Sequence, residues 1–300
     1  MNKGKVIITG GTGLVGKQLT KLLISGNYEV NILCRNPKKA NEYKWNIETG
    51  FIDEKVFEGA AAIIHLAGAG VADKRWTNER KSEIINSRID SARLLYQYLK
   101  KENHNILHFI SASAVGFYGD RGNEVLTEDS SGGTGFLADV CQLWEKEADT
   151  FADLNMTVSK VRIGIVLSKD GGALPKLDFP VKFGIGAYIS NGKQYVPWIH
   201  VDDLCNIFIS ILENKIKSGT YNGCAPDIKT NKEMSQTIAK VLHKPFIPAP
   251  APAFILKTVL GEMATMLLMS NNCSCKKIQE TGFKFQYPTL VEALENIYNS

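Results

Sequence analysis

The chain predicts an α/β fold, a Rossmann-type doubly wound parallel sheet with a smaller C-terminal substrate region. Three observations carry that expectation. Short apolar runs alternate with helical periodicity up to about residue 167. A glycine-rich turn joins the first such run to the first helical stretch. After residue 170 the alternation gives way to DGGALPKLDFPVKFGIGAYISNGKQYVPW, rich in Gly, Pro and aromatics.

Taken in order, Lys5–Thr9 (KVIIT) is a short apolar strand ended by glycines, and Lys17–Ser25 repeats Leu19, Leu22 and Leu23 at helical spacing. Tyr28–Leu33 reads as the second strand and Ala61–Leu66 (AAIIHL) as the next. The periodicity of Ile84, Ile85, Ile89, Leu94 and Leu95 predicts a helix over Lys81–Lys100. A strand over Ile106–Ser111, a helix opening at GFLADVCQLWE (135–145) and a strand over Val158–Leu167 continue the series. Beyond it, loops laid over a pocket, a helix over Thr230–Leu242, the proline-rich link FIPAPAPAF and two further helices are expected. The predicted division is 1–170 for the Rossmann part, with the strand and helix near 196–225 returning to it, and 171–300 for the substrate and C-terminal helical part.

Composition narrows the function classes. With 300 residues, 44% hydrophobic and 22% charged side chains, the chain can bury a full core. The net charge of +4 is spread among 31 acids without a basic block, so a nucleic-acid partner is not expected. The six scattered cysteines fit neither a disulfide framework nor a zinc pattern, and read as free thiols in a reducing compartment. MNKGKVIITGG runs straight into a strand without the apolar core of an export signal, which predicts a cytoplasmic protein. Ala251–Met269 is interrupted by Lys257, Gly261 and Glu262, so it reads as a buried or docking helix, and no membrane partner is expected.

The sharpest motif is TGGTGLVG at Thr9–Gly16. A strand precedes it and a helix follows, the context of a dinucleotide fingerprint: Gly10 for the tight turn, Gly13 for close approach of backbone to pyrophosphate, Gly16 for helix–strand packing. The second strand ends Leu33-Cys34-Arg35-Asn36-Pro37, with Arg35 where an NAD site would place an acid for the ribose hydroxyls. A guanidinium there predicts NADP(H), because its paired donors suit a 2′-phosphate and no carboxylate repels it.

TGGTGLVG, the HLAG of His65–Gly68, SASAVGFYG at Ser111–Gly119 and PWIHVDDL at Pro197–Leu204 together resemble the extended short-chain dehydrogenase/reductase superfamily of epimerase type. AGVADKRWTNERKSEIINSRI, DGGALPKL and ETGFKFQYPTLVEAL resemble its atypical branch of epimerase-family, NADP-binding oxidoreductase proteins, over nearly the whole chain. The resemblance implies a pyrophosphate loop of Gly10, Gly13, Leu14, Val15 and Gly16, and Arg35 on the adenosine phosphate. It also implies Ala67 and Gly68 along the cofactor, Ser87 beneath its nicotinamide half, and Ser113 in the place of the serine that binds substrate oxygen.

One stretch departs from that pattern. Superfamily enzymes use Tyr-x-x-x-Lys, in which tyrosine moves the proton and lysine lowers its pKa while holding the nicotinamide ribose. Counted back from Glu145, Leu137 takes the tyrosine position and Cys141 the lysine position. Leucine transfers no proton, and a thiol of pKa near 8.5 is mostly neutral at pH 7. Tyr118 is the first substitute acid to consider, with a packed tyrosine as its other reading. His65 in an apolar strand reads as a core histidine, and His200 and Asp202-Asp203 as a helix start. On the substrate side Arg75, Trp76, Lys81, Arg88, Lys176 and Trp198 form a basic and aromatic set suited to an anionic or planar ligand, or else are surface charge and core aromatics. The reading that results is an NADP(H)-dependent oxidoreductase acting on a small carbonyl or alcohol. A nucleotide-sugar-type epimerase and a non-catalytic NADP(H) sensor stand as alternatives.

Overall fold

The computed structural model describes residues 2–102 and 104–299. Its centre is an eight-stranded sheet: β1 (Lys5–Thr9), β2 (Glu29–Cys34), β3 (Glu42–Asn46), β4 (Phe51–Ile52), β5 (Ala60–His65), β6 (His108–Ala114), β7 (Thr157–Ile163) and β8 (Thr220–Gly223). Their spatial order is β8-β7-β6-β5-β1-β2-β3-β4. Every pairing is parallel except β3 with β4. The order reverses between β1 and β5, so the ends of these two strands frame the crevice in which such sheets take their ligands.

Period-2 alternation sends β1 residues to both faces of the sheet. Val6 and Ile8 join Leu19 and Leu23 of α1 (Leu14–Ser25) and, after the long helix α2 (Asn78–Lys101), α3 (Phe136–Asp149) and α4 (Leu174–Lys182), the apolar face of α5 (Val201–Leu212), including Leu204, Ile207 and Phe208. Ile7 turns the other way, with Leu33, Ile63 and Phe109, onto Leu95 and Leu99 of α2. α1 packs on α5 and α2 on α3, which covers both faces.

Four sequence expectations are corrected. The run Val158–Leu167 is broken at Gly164, where a Cβ would stand 2.6 Å from the Pro197 carbonyl oxygen. β7 stops before it, and Ile165–Ser168 crosses to a small sheet with Trp198–His200 and Gly171–Gly172. The stretch after residue 170 is not only loops: α4 forms with a proline in its first turn, where the missing N–H is harmless, and Ile185–Ile189 follows as a strand. The FIPAPAPAF link is a strand as well, Ile247–Ala251, pairing in parallel with Ile185–Ile189. β3 and β4 were not anticipated, because EYKWN and FI are short, polar edge segments.

The C-terminal part completes α6 (Asn231–Val241), opened by a reciprocal Thr230–Glu233 capping box, then α7 (Ala253–Leu260), α8 (Ala264–Leu268), α9 (Lys276–Glu280) and α10 (Leu290–Asn299). Gly261, at φ 62°, breaks Ala251–Met269 between α7 and α8. Among the described residues no helix is long and apolar enough to cross a membrane. Leu174, Val181, Trp198, Met234, Ile238, Leu290 and Leu294 close a third core beneath this part.

Candidate functional site

The turn after β1 is built by contacts that only glycine permits. Gly10 has φ 69° and lies so close to β5 that a Cβ would stand 2.7 Å from the Leu66 carbonyl oxygen. At Gly16 a Cβ would stand 2.4 Å from the Gly10 oxygen, so a larger residue would push α1 off its turn. Gly13 caps α1 in extended conformation without any side-chain cap, and α1 has no acid in its first turn. A Cβ on Gly13 would meet one atom, the Gly10 oxygen at 3.3 Å, and open space otherwise. The amides at the start of α1, including those of Leu14 and Val15, therefore face an open, uncapped helix end suited to an anion. Gly172, from the segment after β7, lies over Leu14: a Cβ there would be 3.1 Å from Leu14 Cδ2.

Arg35 is the first residue beyond β2 and is exposed, with no hydrogen bond or ion pair among the described residues. The acid that opens β3, Glu42, accepts from the backbone N–H of Lys38 at 2.6 Å and of Lys39 at 3.3 Å, so it braces the loop and does not neutralise Arg35. Behind the glycine turn, Thr9 Oγ1 lies 2.8 Å from His65 Nδ1 and accepts from the Ala67 N–H at 3.2 Å, while Ser91 Oγ meets His65 Nε2 at 3.3 Å. Burial drives the His65 pKa down to about 3, so the ring is neutral, a satisfied core histidine.

The segment after β5 is strapped down by four side chains on four successive carbonyls. Arg88 Nη1 donates to Ala69 O at 3.0 Å, Arg80 donates to Gly70 O, Trp76 Nε1 to Val71 O at 2.8 Å and Lys176 Nζ to Ala72 O at 3.4 Å. Ser87 Oγ accepts from the Ala69 N–H at 2.9 Å and donates to Ile84 O at 3.1 Å, so it orients the strap from α2. Arg88 is buried over the Trp144 ring, its Cζ 4.9 Å from the ring centroid, and fills the space a side chain at Gly68 would need.

These contacts redistribute the residues read as substrate-binding. Trp76, Arg88 and Lys176 hold the strap. Lys81 pairs with Glu262 and lies over the Phe136 ring. Trp198 is a correction: it is fully buried with its indole N–H donating to Asp227 O at 2.7 Å, so no face is left for a ligand to stack on. Arg75 is exposed, next to Gly261.

The helix α3 places Leu137 and Cys141 against Gly116, whose absent Cβ would stand 3.4 Å from Leu137 Cβ and 3.6 Å from Cys141 Sγ. Burial pushes the Cys141 thiol up to about 12, which makes it neutral at physiological pH. Ser113 and Tyr118 are brought together one layer deeper. Ser113 Oγ donates to Glu145 Oε1 at 2.7 Å; Arg162 grips Glu145 through Nε at 2.8 Å and Nη2 at 2.9 Å, and reaches the Tyr118 hydroxyl through Nη1 at 2.9 Å. That hydroxyl donates to Asn222 Oδ1 at 2.7 Å. Tyr118 is completely buried, and desolvation raises its pKa further above the ordinary phenol value. The expectation that Tyr118 acts as acid is therefore corrected: inside the core its hydroxyl donates to Asn222 and accepts from Arg162. Ser113, 2% exposed, is equally withdrawn from a substrate.

Sequence reasoning missed Arg80 and Arg162. A charge inside the apolar strand 157–163 was the one available signal for Arg162; its partner Glu145 lies on another element. His200 caps α5 by accepting from the Asp202 N–H at 3.1 Å, and fully buried Asp203 accepts from the N–H groups of Gln286 at 2.7 Å and Tyr287 at 3.0 Å. IHVDDL thus fastens FKFQYP to the Rossmann part.

Strand order, glycine turn and covered parallel sheet define a Rossmann-type protein of the short-chain dehydrogenase/reductase kind. The pattern of the NAD dependent epimerase/dehydratase family matches residues 6–135, and that of a domain of unknown function matches 251–297. An epimerase family protein of Staphylococcus aureus strain NCTC 8325 is 35% identical over 297 residues, 97% of this chain and 98% of that one. The chain belongs to this epimerase family. Among solved structures, human epimerase family protein SDR39U1 (isoform 2), crystallised with NADPH, superposes with a TM-score of 0.88 at 29% identity over 99% of both chains. A nucleoside-diphosphate sugar epimerase from Corynebacterium glutamicum gives 0.79 at 31% identity over 98% of this chain and 58% of that one.

Proposed function

We propose that the chain binds NADP(H) at the β1–α1 turn and reduces or oxidises a small carbonyl or alcohol by hydride transfer. The observation that carries this reading is the open, uncapped amino end of α1, framed by Gly10, Gly13 and Gly16, with an unpaired Arg35 at the end of β2. The human relative crystallised with NADPH supports the choice of cofactor. The amides at Leu14, Val15 and Gly16 would hold the pyrophosphate and Arg35 the 2′-phosphate, Ala67 and Gly68 would line the cofactor's edge, and Ser87 would fix the strap through Ala69.

The bound nicotinamide supplies or takes the hydride. The chain's own part is to orient the cofactor and, through Leu137 and neutral Cys141, to offer a wall without acid, base or fixed charge at the usual proton-transfer position. Proximity and orientation can contribute about 7–11 kcal/mol, more than the roughly 10²–10⁴-fold of a positioned acid, so this reading does not require the missing pair. Water then supplies the proton when a carbonyl is reduced and takes it up when an alcohol is oxidised.

The same wall favours a second reading, a non-catalytic NADP(H) sensor. Sugar 4-epimerisation draws its support from the names of relatives, while the absent Tyr–Lys pair weighs against it. Fluorescence titration with NADPH and NADH tests the cofactor reading, and NADPH bound more weakly than NADH would sink it. A carbonyl panel followed at the NADPH absorbance then separates enzyme from sensor: turnover supports hydride transfer, and tight binding with no turnover supports the sensor.

A further inference from the structure

Large exposed apolar side chains occur at the end of α4, on the strand that follows it and its partner strand, and on α7. Phe179 of α4 and Phe183, which caps the C-terminal end of that helix, are 64% and 71% exposed, with ring centroids 5.3 Å apart. Two residues after Phe183 the chain enters the strand Ile185–Ile189, whose first residue is in register with Ile247, 65% exposed. The inner side of this two-stranded ribbon is engaged: Gly186 lies against the Phe246 ring, Ser235 of α6 donates to Ala187 O at 2.8 Å, and Tyr188 lies under Lys232. At the far end of the ribbon Ser190 N–H donates to Ala251 O at 2.8 Å, and α7 begins directly after, with Phe254, Ile255 and Val259 exposed and no buried residue.

Charge selects the occupant. Residues 179–193 and 240–261 contain five lysines, at 182, 193, 240, 244 and 257, and neither aspartate nor glutamate, with Asp178 and Glu262 immediately outside them. Lys182 pairs with Asp178 at 3.0 Å, and Asp178 is buried against Tyr298; Lys244 and Lys257 have no acidic partner among the described residues. Aromatic and aliphatic side chains bordered by lysines are the composition of a surface that seats in the headgroup layer of an anionic membrane, the rings entering the acyl boundary and the ammonium groups meeting phosphates. A second copy fits less well, because a two-fold contact would set the same lysines against each other. Addition of a peptide strand is hindered by Pro248 and Pro250, which offer no N–H.

We infer that the α4, ribbon and α7 face is a docking surface for anionic lipid bilayers, holding the protein at a membrane surface without crossing it. The sequence had predicted no membrane partner, because apolar residues distant in the chain become neighbours only through the pairing of Ile185–Ile189 with Ile247–Ala251.

The test is co-sedimentation of the full chain with vesicles of phosphatidylcholine alone or mixed with phosphatidylglycerol, with size-exclusion light scattering in parallel. Expected is binding to the mixed vesicles only, weakened at least about tenfold by Phe179→Ser with Phe183→Ser, by Lys244→Glu with Lys257→Glu, and by raised salt. Circular dichroism confirms that the variants are folded, and Ile247→Asn serves if the double phenylalanine variant is not. No binding of the folded chain to mixed vesicles overturns the inference, as does binding that these substitutions leave unchanged. A concentration-dependent dimer abolished by the same substitutions, without vesicle binding, overturns it in favour of a second copy. The readout is independent of cofactor and turnover, so it succeeds or fails apart from the proposed function.

Discussion

The β1–α1 turn and the α3 wall have different characters. At the turn Gly10 and Gly16 each have a contact that excludes a side chain, Gly13 caps α1 without a side chain, and the helix end is left open. At α3 the groups of usual chemistry are absent, and the polar residues nearby, Ser113, Glu145, Tyr118 and Arg162, satisfy one another in the core. One side leaves backbone donors free and the other satisfies its polar groups internally, so substitutions on the two sides should act on different properties.

The contrast breaks most sharply at Glu145. Glu145→Ala leaves Arg162 buried without its partner and should cost about 3–5 kcal/mol of stability, read by urea denaturation, while the folded fraction binds NADPH as before. Equal loss of cofactor affinity in that fraction would join the two sides. Arg35→Ala should weaken NADPH by about 1.5–3 kcal/mol, roughly ten- to a hundredfold, and leave NADH and thermal stability unchanged; titration with both nucleotides checks it.

His65 links the turn to stability through pH. Its folded pKa of about 3 lies below its unfolded value near 6.5, so the unfolded chain binds the proton first. The contribution is complete above pH 6.5 and is lost as pH falls toward 3, by about 1.4 kcal/mol per unit. Denaturation of the parent and of His65→Gln between pH 7 and 5 should show the shallower dependence in the variant. Tyr118→Phe leaves Asn222 Oδ1 without its donor and should cost about 1–3 kcal/mol of stability, with turnover unchanged in any active assay. A large fall in turnover at preserved stability would return Tyr118 to the chemistry.

The geometry of the glycine turn and the place of Arg35 were legible in the sequence because their requirements are local: three glycines between a strand and a helix, then a charge at the end of the next strand. Leu137 and Cys141 were legible as an anomaly for the same reason, being a fixed interval from Glu145. What lay one layer deeper was not. Ser113 with Tyr118, Glu145, Arg162 and Asn222 come from four separate segments, and only tertiary packing reveals that they hydrogen-bond to one another. The strand Ile247–Ala251 was missed because proline signals a link until its partner strand is known, and an outer strand tolerates proline.

The four tethered carbonyls of Ala69–Ala72 have a consequence for motion. A segment without regular secondary structure would ordinarily fluctuate open on its own. Here separate donors from α2, the strap itself and α4 must release together, so hydrogen exchange across residues 69–72 should follow opening of the surrounding helices, and the strap should behave as a fixed rim to the crevice.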